Sequence, residues 1–87
     1  MHELAQIPPL LKRIQAVRLS EPAGKILSAN LSIHPFFPMS TDVLKIHLIE
    51  AVQGTELEGI EWIIEESAGP DGPGPAEILL ESVELTQ

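Results

Sequence analysis

The chain has no cysteine among its 87 residues. That excludes a disulfide staple, a thiolate nucleophile and a thiolate metal site. It also has no Lys or Arg beyond position 45. The five basic residues are Lys12, Arg13, Arg18, Lys25 and Lys45, set against three acids in the same stretch, whereas residues 46–87 carry ten acids. A half of that sign repels a phosphate backbone, because nucleic-acid affinity comes from cations that displace condensed counterions. Nucleic acid is thereby excluded as a main partner. No apolar run approaches the roughly 18 residues of a membrane span, and the start lacks the basic-then-apolar plan of a secretion signal. The chain reads as soluble and cytoplasmic, with no membrane partner.

Enzyme constellations are missing as well. The glycines at 69–74 are interrupted by prolines, which lack the N–H donors of a phosphate cradle. No Ser–His pair stands in a recognisable setting, and no carboxylates cluster in an apolar context. Nothing points to catalysis.

What is present suits one small domain. Apolar residues make up 44% of the chain and the formal charge is −8. That apolar share is too high for a charge-dominated disordered segment, and a chain this short needs a compact core. Leu4, Ile7, Leu11 and Ile14, widened by Leu10 and Val17, recur at helical spacing. Pro8 and Pro9 are comfortable only in a first turn, so the well-formed helix is expected from Ile7 to Leu19. In residues 25–33, Leu27, Ala29, Leu31 and Ile33 alternate with Ser28, Asn30 and Ser32, a strand with one dry face.

Pro35 and Pro38 bracket Phe36 and Phe37, which read as a hydrophobic clamp over the first helix. Ser40 or Thr41 then caps a second helix running to about Gln53, with Leu44, Leu48, Ala51 and Val52 inside and Gly54 at its end. Ile60, Trp62 and Ile64 mark a second strand over 59–66, with Trp62 in the core phase. Residues 67–75 are turn chemistry, three Gly and three Pro in nine positions. In the third strand, 77–85, Ile78 and Leu80 share one phase while Val83 and Leu85 take the other. A β-bulge near Glu81-Ser82 would bring all four to one face. The expected fold is a single α+β domain over 1–87, ordered α-β-α-β-β, with two helices on one face of a three-stranded mixed sheet. A right-handed crossover makes the first two strands parallel. The 67–75 turn is expected to join the last two strands directly as an antiparallel pair.

Chemistry concentrates at the start. The chain opens Met1-His2-Glu3, and a bulky second residue such as His normally leaves the initiator Met in place. The Met1 amine, the Met1–His2 amide nitrogen and the His2 ring close a five- and a six-membered chelate ring around one ion. Such a planar nitrogen set suits Ni(II) or Cu(II), and Glu3 can add an oxygen. Binding would release protons, because the amine and the imidazole must be neutral and the amide nitrogen must ionise. His34, in a loop, and His47, in a helix, each stand alone and read as packed or solvated.

Met1-His2-Glu3-Leu4, the amphipathic helix, the strand ending Leu31-Ser32-Ile33, the helix from Asp42 to Val52 and the stretch from Gly54 to Glu66 (Gly-Thr, an acidic-Gly pair, an alternating acidic strand) together resemble the HypA family. These accessory proteins deliver nickel to nickel-iron hydrogenases and, in some organisms, urease. The resemblance covers essentially all of the chain except the 67–75 turn, which stands where the family carries a zinc-binding segment with two Cys-x-x-Cys pairs. It implies a nickel metallochaperone with Met1, His2 and Glu3 at the metal and no zinc. The partners it implies are a HypB-type GTPase and the large subunit of a nickel enzyme. Some family members place a further carboxylate ligand just before the second helix; Ser40 stands at that position here, and Asp42 lies two residues on. The alternative of a different class is a metal-free interaction module that docks a protein through its acidic strand face or through Phe36-Phe37.

Overall fold

The computed structural model describes residues 5–21 and 24–86. Helix α1 spans Ile7–Ser20 with Pro8 and Pro9 in its first turn, where no carbonyl four residues back needs their missing N–H groups. Ile7, Leu10 and Ile14 are buried, and Arg18 in the last turn complements the helix dipole. Strand β1 follows at Ile26–Ile33, helix α2 at Thr41–Ala51, strand β2 at Glu61–Glu66 and strand β3 at Ile78–Leu85. This is the expected α-β-α-β-β order.

The sheet is mixed, with strand order β2-β1-β3. Strand β1 runs parallel to β2 and antiparallel to β3. The parallel pair is the crossover expected from the intervening helix. The expected direct pairing of the last two strands is not what forms, because β3 crosses to the far side of β1. The connection is 67–77 rather than a tight hairpin, and it passes the end of β1, where the Ser67 N–H donates to the Ile33 carbonyl at 2.8 Å. Eleven residues easily span two strand spacings of about 4.8 Å. Crossing places the most buried strand in the centre, with a neighbour on each side.

Two bulges set the sheet's faces. Leu31 stands opposite Leu80 and Asn30 opposite Ser82, which leaves Glu81 as the extra residue on β3. Ile78, Leu80, Val83 and Leu85 therefore pair with Ile33, Leu31, Ala29 and Ile26, all on the core face. The expected bulge is there. A second bulge lies at Leu27, between the pairs Ile26–Leu85 and Ser28–Glu84. It turns Ile26 into the core and Leu27 out to solvent, so Leu27, expected on the dry face, is exposed.

Both helices cover the core face, where Ile14, Leu31, Leu44, Leu48 and Trp62 are among the most buried side chains. Helix α2 ends at Ala51, short of the expected Gln53, and Ala51 itself is exposed. The end is closed by Thr55, whose hydroxyl donates to the Val52 carbonyl at 2.6 Å and whose N–H reaches the same oxygen at 3.0 Å. Gly54 then takes φ +78°, a left-handed turn that a Cβ would strain. Among the described residues no helix is long and apolar enough to cross a membrane.

Candidate functional site

The proposed nickel ligands Met1, His2 and Glu3 lie outside the described residues. What the structure defines is the point from which they depart. Ala5 and Gln6 form a short 3-10 turn leading into α1. Gln6 does not cap the helix with its side chain; its Oε1 accepts from the Ile78 N–H at 2.8 Å, tying the helix start to β3. Ala5 and Gln6 line a cavity of about 470 Å³ with Arg13, Asp71, Glu77 and Ile78. The 67–77 connection thus borders the beginning of α1.

That connection is an ordered turn. The Gly72 N–H donates to the Gly69 carbonyl at 3.2 Å, and the Glu77 N–H to the Gly74 carbonyl at 3.1 Å. The Gly74 N–H donates to Glu77 Oε1 at 2.6 Å, and Pro73 is buried. Among the described residues no three His, Asp or Glu side chains come together as a metal cluster.

Ser40 is engaged elsewhere. Its Oγ accepts from the Val43 N–H at 3.2 Å, capping α2, while Asp42 sits exposed in the first turn. His34 is half-buried, and its Nδ1 accepts from the Phe36 N–H at 3.1 Å. His47 is half-buried on α2. The two phenylalanines do not act together as the expected clamp. A turn closed by the Phe37 N–H on the His34 carbonyl, at 2.9 Å, sends Phe37 into the core and leaves Phe36 82% exposed.

The sheet's open face is polar. Glu61 and Glu84 flank Ser28, Ile63 and Ser82 flank Asn30, and Glu65 and Leu79 flank Ser32. Ser28 Oγ donates to Glu84 Oε1 at 2.7 Å and Ser32 Oγ to Glu81 Oε2 at 2.8 Å, so the bulge residue turns its carboxylate over the central strand. Asn30 Nδ2 donates to Ser82 Oγ at 2.9 Å. Ser28 and Ser32 are 3% exposed, and these carboxylates satisfy their hydroxyls.

The seam between α2 and β2 was not among the candidate sites expected from the sequence. Trp62 is buried as expected, yet its Nε1–H has no hydrogen-bond partner among the described residues. The same residue lines two cavities along the seam. One, of about 320 Å³, is shared with Ile49, Val52, Gly59 and Ile60; the other, of about 110 Å³, with Asp42, Lys45 and Ile64. Val43, Ile46 and Ile49 are exposed on α2. The signal was legible, because a helix that is apolar on more than one stripe has more to cover than one core. The chain matches no protein-family model and no curated protein.

Proposed function

We propose that this protein is a HypA-like nickel-binding accessory protein, a metallochaperone that carries Ni(II) at its N-terminus toward a nickel enzyme such as a nickel-iron hydrogenase. The observation that carries the reading is the opening Met1-His2-Glu3, which supplies three nitrogen donors in five- and six-membered rings. A fold of the expected α-β-α-β-β order supports it. So does the Gln6–Ile78 bond, which gives the segment before Ala5 a fixed base.

The Met1 amine, the first amide nitrogen and the His2 imidazole take the metal in one plane, and Glu3 adds an oxygen. Loading releases protons and unloading takes them up, so transfer responds to a partner that protonates the donors or offers better ones. With Ser40 committed to the α2 cap, the site has few rigid ligands, and a labile site suits a carrier. A HypB-type GTPase and a nickel-enzyme large subunit are the partners of this reading, in the cytoplasm, with no zinc.

The second reading is a metal-free interaction module. The engagement of Ser40 in capping and the glutamates of the open face favour it. Calorimetric titration of Ni(II) into tag-free protein, with His2→Ala alongside, separates the two. One site at about micromolar affinity or tighter, about −8 kcal/mol, that His2→Ala abolishes is the expected result. Absence of binding, or binding indifferent to His2, overturns the nickel reading. Acylating the N-terminus should destroy the chelate and leave a docking surface untouched.

A further inference from the structure

Strand β2 is an edge strand. Its Ser67 end shows which backbone groups are spent: the Ser67 N–H donates to Ile33, and by alternation those of Glu65, Ile63 and Glu61 also face β1. The N–H and C=O groups of Trp62, Ile64 and Glu66 point outward. No backbone group among the described residues pairs with them. Both cavities of the seam lie on this flank, since neither is touched by a residue of α1, β1 or β3.

We propose that the free edge of β2, under the flank of α2, is a docking groove for an extended segment of a basic partner protein in which apolar side chains alternate with Lys or Arg. An added strand directs successive side chains to opposite faces of the sheet. On the helix side they meet Ile49, Ile60 and Trp62 and the larger cavity, which suits an apolar row. On the open side they meet Glu61, Ile63 and Glu65, which suits Lys or Arg, with the aliphatic stem over Ile63 and the charge at the carboxylates. The indole N–H of Trp62, at the same seam, is a buried donor without a partner among the described residues. Among the described residues Lys45 is the one base lining either cavity, against Asp42 and Glu58.

Charge chooses between occupants. Pairing β2 with the β2 of a second copy confronts three glutamates with three more, and like charges across a ladder are destabilising. A basic strand removes that opposition. This docking does not depend on nickel at the N-terminus, so its test is run without metal.

The probe is a nine-residue synthetic peptide, acetyl-Lys-Val-Lys-Leu-Lys-Ile-Lys-Thr-Lys-amide. It is compared with a scramble that separates the lysines into one block and with a version carrying Glu for Lys. Trp62 is the sole tryptophan, so its emission reports occupancy. The alternating peptide is expected to bind about tenfold or more tightly than the block scramble, with the Glu version not binding. Hydrogen exchange should slow at the Trp62, Ile64 and Glu66 amides, a readout that needs no variant. Glu66→Pro removes an outward N–H from an exposed edge position and should weaken the alternating peptide about tenfold without unfolding the domain. Glu61→Lys with Glu65→Lys should reverse the preference between the Lys and Glu peptides. Equal binding of the alternating and block peptides, or unchanged exchange at those amides, overturns the proposal. So does a dimer in sedimentation that Glu66→Pro dissociates, since the edge would then belong to a second copy.

Discussion

Deleting Glu81 should cost far less than deleting Leu79, two residues away. Strand β3 pairs Leu80 with Leu31 and Ser82 with Asn30, so Glu81 is the one residue without an opposite number. Without it, Ile78, Leu80, Val83 and Leu85 alternate with Leu79, Ser82 and Glu84 in one unbroken phase. Every core-facing side chain keeps its neighbour on β1. The loss is the 2.8 Å hydrogen bond from Ser32, a buried hydroxyl, which sets the cost at about 1–3 kcal/mol. Deleting Leu79 offers no such escape. Either Glu81 faces the core opposite Leu31, or the strand slips and Ile78, 6% exposed, leaves it. Withdrawing a buried Ile costs about 2–5 kcal/mol, and burying a carboxylate costs at least as much. A domain of this size holds about 4–13 kcal/mol in all. The Leu79 deletion should therefore fold marginally, while the Glu81 deletion keeps most of its stability. A gap of about 2 kcal/mol corresponds to about 8–16 °C in Tm, read by calorimetry or urea unfolding. Equal losses in the two deletions, or a larger loss for Glu81, would refute the bulge as the device that places β3.

Two further pairs of substitutions separate roles that the sequence alone does not distinguish. Ser40→Ala should cost about 1 kcal/mol of stability by removing the α2 cap, whereas Ser40→Asp keeps the cap and adds a favourable charge at the helix start. On the proposed nickel function, Ser40→Asp should also tighten Ni(II) binding in calorimetry, since it adds a carboxylate at the position where the resemblance to HypA implies a further ligand. Phe36→Ala should change stability by less than about 0.5 kcal/mol and Phe37→Ala by about 3–5 kcal/mol, because only Phe37 is in the core; paired urea titrations measure the difference.

What the sequence made legible was whatever depends on near neighbours. The 3.6-residue spacing of Ile7, Leu10 and Ile14 and the permissive first turn for Pro8 and Pro9 placed α1 to within a residue. The phase slip between Leu80 and Val83 announced its bulge, because no uninterrupted strand could bury both. The bulge at Leu27 gave no such warning. Leu27, Ala29, Leu31 and Ile33 alternate without fault, and only the pairing of Ile26 with Leu85, 59 positions away, pulls Ile26 inward and Leu27 out. Strand order was hidden for the same reason. The Gly and Pro of 67–75 favour a turn whether the next strand lies beside β2 or beyond β1, and the choice is made by burying β1 between two neighbours. The site divides along the same line. The donors proposed at Met1 and His2 involve only neighbouring residues, so that proposal can be read from coordination chemistry. The groove at β2 cannot, since it needs Ile49 of α2 beside Ile60 and Trp62, and an edge left open because β3 went to the other side. The crossing that the turn composition failed to announce is therefore what leaves the acidic strand free to take a partner.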